Sequence, residues 1–244
     1  LGHGIEQILN PRIENHYLNK DKQLKEYMPS QTKLTPVSIT LDETHNHTEQ
    51  EVLLDVRGLS INYVSDHQAP AKAVSDVSFT LHKGETLGLV GESGCGKSTL
   101  MLSLMRLLPP GGRINEGQVL FEGRDILSLD EQNMNGLRWK DISMIFQGAM
   151  NAMNPVRSVG DQIAEAILLH TPITDPKELN ARIEELLDLV GISPKRKDDY
   201  PHQYSGGMRQ RAMIAMALAC DPQIVIADEP TTALDVMIQA QILD

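Results

Sequence analysis

From Glu51 onward, short apolar runs alternate between the period of a strand and that of a helix. EVLLDVRGLSINY (51–63) and VSDVSFTLHKGE (74–85) carry apolar side chains at strand spacing, with Lys83-Gly84 as a turn. ETLGLV (85–90) is a short apolar run that meets the glycine-rich GESGCGKST. Behind it, LMLSLMRLL (100–108) has helical spacing and stops at Pro109-Pro110-Gly111-Gly112. QVLFEG (118–123) and ISMIFQ (142–147) read as further strands. VGDQIAEAILLH (159–170), PKELNARIEELLDLVGI (176–192) and MRQRAMIAMALAC (208–220) read as helices, and IVIADE (224–229) as a fully buried strand. Strands alternating with helices predict an α/β fold with a parallel sheet covered on both faces. No internal repeat is visible. Upstream, residues 1–20 are mixed and weakly helical, and residues 21–51 are polar and aperiodic, the texture of a linker. His45 and His47 in that linker lack an acidic or Cys partner at metal-site spacing, so they read as solvated.

The chain of 244 residues is 41% hydrophobic, enough for a real core, and carries a net charge of −11. That balance argues against a nucleic-acid partner, which calls for a basic field. Two cysteines point to a reducing compartment rather than a disulfide framework. No apolar run reaches the roughly 18 residues of a membrane span, and the first residues lack the pattern of a signal peptide. Leu1 in place of Met suggests an amino terminus that is not a native start.

The chemistry begins at GESGCGKS (91–98), which fits G-x-x-x-x-G-K-[ST] without a mismatch. Gly91, Gly94 and Gly96 let the backbone curl so that successive N–H groups point at phosphate oxygens. Lys97 supplies a point charge for the β and γ phosphates, and Ser98 a hydroxyl for Mg2+. A helix beginning near Lys97 adds its positive end. Cys95, inside the loop, reads as a small residue filling space. In IVIADEP (224–230) a strand end delivers two acids to the mouth of a sheet. Asp228 would hold Mg2+ and Glu229 would act as general base on an attacking water. YSGGMRQR (204–211) offers a hydroxyl and free N–H groups at a helix start, a second anion site. Taken alone, Ser205 there reads as an ordinary N-cap.

The order of these motifs, with a Phe-Gln strand end at 146–147 and TTALD at 231–235, resembles the ATPase subunit of ABC transporters over residues 52–244. GESGCGKST, FQGAMNAMNPV, YPHQYSGGMRQR and ADEPTTALDV are similar to the oligopeptide, dipeptide and nickel branch of importers. The resemblance implies a P-loop NTPase with a RecA-like parallel core, an antiparallel β subdomain and an inserted α-helical signature subdomain. It implies a nucleotide-binding set of Tyr63, stacking on adenine, with Gly91, Ser93, Gly94, Cys95, Gly96, Lys97, Ser98 and Thr99. It implies Glu229, Gln147 and Lys97 as the catalytic residues, and Ser98, Gln147 and Asp228 as the Mg2+ set. Ser205, Gly206, Gly207 and Met208 match the signature that closes over ATP held by another subunit, and Asp235 the loop that crosses the dimer. Met208 stands where many members of the family have Gln, as in the peptide branch.

The implied partners are ATP, Mg2+, a second ATPase subunit (identical or paralogous), membrane permease subunits and, indirectly, an extracytoplasmic solute-binding protein. The implied place is the cytoplasmic face of the plasma (inner) membrane, peripheral unless fused to a permease. GAMNAMNP (148–155) could line the permease dock or serve as core. The alternatives are an ABC ATPase that couples no permease and an ATP-binding fragment with crippled catalysis. Two expectations concern the ends. LGHGIEQILNPRI (1–13) is similar to the carboxyl-terminal tail of permeases in the same branch. After Asp235 none of the eight histidines follows, so the fold is expected to be C-terminally incomplete. It would then lack a core strand and its γ-phosphate histidine, and the isolated chain is expected to be poorly soluble and weakly active. The transported solute is not legible.

Overall fold

In the computed structural model, which describes residues 38–39, 51–65, 68–146 and 153–229, the described residues up to Glu131 form one compact unit and those from Gln132 another. The first unit is built on two long strands, β2 (Val52–Ser65) and β3 (Gln68–His82). A connection this short forces antiparallel pairing, because parallel strands need a long crossover. β5 (Gly112–Phe121) and β6 (Arg124–Asp125) complete an antiparallel sheet in the order β3-β2-β5-β6. Glu122 and Gly123 join the last two strands, both with positive φ (47° and 76°), as a two-residue hairpin requires.

After adjacent buried Leu53 and Leu54, the buried side chains of β2 run from Val56 to Leu59 and Ile61, a switch from even positions to odd. A bulge accounts for the shift: Gly58 and Leu59 stand opposite the single residue Gly117 of β5. Without it the second half of the strand would turn its apolar side chains to solvent. Gly117 is obligatory there, since a Cβ would lie 2.6 Å from Leu59 Cα and 2.7 Å from Arg57 O. Val119, Phe121, Val74, Val77 and Phe79 complete the buried face.

The expected strand at 85–90 shrinks to β4 (Leu89–Val90), which leads into helix α1 (Lys97–Leu104) through the glycine-rich loop. β4 pairs antiparallel with β1 (Ser38–Ile39), Ser38 opposite Val90 and Ile39 opposite Leu89. Two residues of the expected linker thus have a backbone partner, a departure from an aperiodic solvated segment.

The second unit holds the parallel ladder. β7 (Ile142–Ile145) pairs in parallel with β8 (Ile224–Ala227), Ile142 opposite Ile224 and Ile145 opposite Ala227. All of β7 is buried, but β8 alternates: Ile224 and Ile226 are buried while Val225 is 39% exposed and Ala227 is exposed. The expectation of a fully buried strand is therefore corrected. Among the described residues the early strands form an antiparallel sheet and β7 and β8 a parallel pair, as expected of an α/β fold with a parallel core and an antiparallel β subdomain.

A short helix that the periodicity did not predict, α2 (Glu131–Leu137), precedes β7. Helices α3 (Val159–His170), α4 (Pro176–Leu189) and α5 (Gly206–Ala217) occur where their apolar spacing places them. Ser158, Asp175 and Ser205 cap them, accepting from the N–H groups of Asp161, Glu178 and Met208. α3 buries Val159, Ile163, Ala166 and Ile167, and α4 Ile183, Leu186 and Leu187. These pack with Ala212–Ala217 of α5 and with Ile145 into one core.

Candidate functional site

The glycine-rich loop owes its shape to two left-handed glycines, Gly94 (φ 80°) and Gly96 (φ 106°). Gly96 also presses on β3, for a Cβ there would lie 2.3 Å from Ala73 O. It opens α1 without a side-chain cap, so the first N–H groups of the helix are directed at the loop's concavity. Cys95 is 4% exposed, and a Cβ on Gly91 would meet its Sγ at 2.6 Å, so the thiol fills space as expected. Lys97 curls back over the loop: Nζ donates to Gly91 O (2.6 Å) and Glu92 O (2.9 Å) and lies 3.7 Å from Cys95 Sγ. Its charge stands against bare carbonyls, where an incoming phosphate would compete for it. Gly91, Ser93, Gly94 and Ser98 are exposed and Thr99 is half-buried. Tyr63, near the end of β2, reaches the same helix start, its hydroxyl 3.4 Å from Thr99 Oγ1. The loop and Tyr63 are thus brought together in the first unit.

In the second unit the ladder ends in the two acids. Asp228 N–H still donates to Ile145 O (2.9 Å), which holds its carboxylate just past β8, 8% exposed. Glu229 follows at φ 48°, a left-handed conformation rare for a residue with a side chain. Glu229 is exposed, which continues the alternation of β8. One carboxylate is thus buried and its neighbour open to solvent, as the period of a strand dictates.

The Ser205 turn lies elsewhere in this unit. Ser205 Oγ accepts from Met208 N–H (3.3 Å), the cap reading, and Ser205 is exposed while Gly206, Gly207 and Met208 are half-buried. The cap uses the hydroxyl and leaves the first N–H groups of α5 to other acceptors. Tyr204, before the turn, is 3% exposed and donates its hydroxyl to Arg196 O (2.9 Å). Burial, with Asp199 nearby, pushes its pKa up to about 12.

The periodicity did not single out Arg196. It donates from Nε to Asp199 (2.7 Å), from Nη2 to Gln203 O (3.0 Å) and from Nη1 to Met208 Sδ (3.2 Å). Its guanidinium also lies 5.0 Å from the centre of the Tyr204 ring. The only sequence signal for it is a basic residue with an acid at i+3 ahead of a Tyr-rich stretch.

Gln147 and Asp235 lie outside the described residues, as do segment 1–20 and residues 148–152. Met153 of the methionine-rich stretch is 5% exposed within the core, which settles core over dock for that residue. Among the described residues no cluster of His, Cys, Asp and Glu could hold a metal alone. The Ser98 hydroxyl in the first unit and the Asp228 carboxylate in the second are each hard oxygens. They fit Mg2+, which is held by one or two protein ligands with substrate phosphates and water completing its shell.

A family profile described as "ABC transporter" matches residues 74–232. The chain is 50% identical over 197 residues to the dipeptide transport ATP-binding protein DppD of Bacillus subtilis, covering 80% of this chain and 58% of that protein. It is 47% identical over 209 residues to the oligopeptide transport ATP-binding protein OppD of Salmonella typhimurium, covering 84% and 62%. The chain thus spans about three fifths of the length of these curated relatives, 58% and 62%. Among solved structures, the dimeric bacterial ABC transporter cassette MJ0796 superposes with a TM-score of 0.70 at 26% identity, over 78% of this chain and 80% of that one. A second structure of that cassette, a post-hydrolysis dimer bound to ADP and Pi, gives 0.69 over the same shares at the same identity.

Proposed function

Because this chain belongs to the ABC transporter family, we propose that it binds and hydrolyses ATP to drive import of peptides or related small solutes such as nickel. The observation that carries the reading is the Lys97 ammonium folded onto Gly91 O and Glu92 O beside the uncapped start of α1. On binding, the phosphates draw Lys97 away from those carbonyls and accept from the loop N–H groups, which neutralise charge without reorganisation. Gly91, Ser93, Gly94, Cys95, Gly96 and Thr99 shape and line this cradle, and Tyr63 stacks on the adenine. Ser98 and Asp228, with Gln147, are the residues that would hold Mg2+, which when bound neutralises the β and γ phosphates. Exposed Glu229 takes a proton from the attacking water, and Gln147 orients that water.

The Ser205–Gly206–Gly207–Met208 turn serves a nucleotide held by a second ATPase subunit, with Asp235 crossing between them. ATP then favours the closed pair and hydrolysis reopens it, which moves the permease subunits. A solute-binding protein delivers the cargo, and the complex sits at the cytoplasmic face of the inner membrane. Among the described residues no helix is long and apolar enough to cross a membrane, consistent with a peripheral subunit. Residues 52–244 act as one ATP-binding domain.

ATP turnover by the full-length protein tests the reading. Lys97→Ala is expected to lower turnover by a factor on the order of a hundred or more, the effect of removing one transition-state donor. Turnover that survives the substitution would sink the proposal.

A further inference from the structure

We propose that Arg196 is a positioning residue for the Ser205 turn, a role that rests on the reading of that turn as a nucleotide contact. The guanidinium bridges the turn, bonding Gln203 O on one side and Met208 Sδ on the other, while its face lies on Tyr204 between them. Tyr204 closes the ring by donating to Arg196 O. The residues flanking the turn at 203, 204 and 208 are therefore referred to one planar group.

That group is itself anchored. Lys197 O accepts from Gly160 N–H (2.7 Å) and Asp199 O from Val159 N–H (2.9 Å), both at the start of α3. Gly160 permits this approach, since a Cβ there would lie 2.9 Å from Lys197 O. Lys197 Nζ bonds Glu184 of α4 (2.6 Å) and also Asn180. Arg196 thus ties the start of α5 to a frame set by α3 and α4. The half-buried ion pair with Asp199 alone would contribute little. The forked, planar geometry is what holds several acceptors at once, and a lysine cannot reproduce it.

If Arg196 only stabilised the fold, its loss would lower all activities in proportion to the folded fraction. As a positioning residue it governs one step: engagement of the Ser205 turn with a nucleotide on another subunit. The test uses the full-length protein with Arg196→Lys and Arg196→Gln. MgATP affinity of separated subunits, thermal midpoint and turnover as a function of protein concentration are measured. Expected are an unchanged affinity, a nearly unchanged midpoint and turnover lower by about tenfold to a hundredfold, the loss typical of a misplaced contact. Higher protein concentration should restore part of it.

Wild-type turnover in both variants, a loss matching the unfolded fraction, or unfolding of both variants would overturn the proposal. Gly207→Asp separates it from the underlying reading. If that change leaves turnover intact, the turn contacts no nucleotide and the reading itself fails. If it abolishes turnover while both Arg196 variants are unaffected, only the positioning role fails.

Discussion

Gly96 combines a φ of 106° with a Cβ position 2.3 Å from the Ala73 carbonyl oxygen. Gly96→Ala therefore meets backbone strain and a clash that no rotamer relieves. The expected destabilisation is about 2 kcal/mol or more, read as a lower denaturant midpoint. Tyr204 supplies a second residue-scale expectation. Its folded pKa of about 12 exceeds the ordinary 10, so the folded state holds the proton more tightly. Its contribution to stability is full below pH 10 and is lost as pH rises from 10 through about 12. Wild type should thus lose stability relative to Tyr204→Phe across that window, measured by chemical denaturation; parallel pH curves would contradict it. At this scale the sequence was informative where a motif fixes spacing, as at Lys97. It was silent at Arg196, whose partners come from residues 3 to 12 positions away, brought together by turns rather than by a period.

The helices show how local signals set an element and tertiary ones finish it. α4 starts where Asp175 accepts from Glu178 N–H at 3.1 Å, with Pro176 at its first position. Asp175→Ala should cost about 1 kcal/mol, visible in the thermal midpoint, because one orphan donor loses its acceptor. α3 and α4 were legible because each carries apolar side chains at helical spacing. β8 was misread for a related reason: a run of four apolar residues looks the same whether one face or both are covered. The bulge at Gly58 was equally hidden. It depends on Gly117 across the sheet, and only the switch from Val56 to Leu59 betrays it.

For the whole molecule, the alternation of strand and helix implied a parallel sheet, and the family resemblance an antiparallel β subdomain beside it. The pairing follows connection length: β2 and β3 are too close in sequence to be parallel, whereas β7 and β8 have three α-helices between them among the described residues. Strand existence is a local property, but partnership is not, and a linear pattern cannot rank partners. The candidate site reflects the same limit. Its loop and acids were readable as motifs, while the left-handed Glu229 and the frame behind the Ser205 turn emerge only from folding. The pairing of Ser38–Ile39 with Leu89–Val90 extends this to chain topology. It ties a point upstream of the first long strand to the residue immediately before Gly91. Cleavage between residues 40 and 50 would break the covalent link between the two paired strands without touching a motif. The amides of Leu89 and Val90 should then exchange deuterium faster, and the phosphate loop would lose the anchor of its first residue.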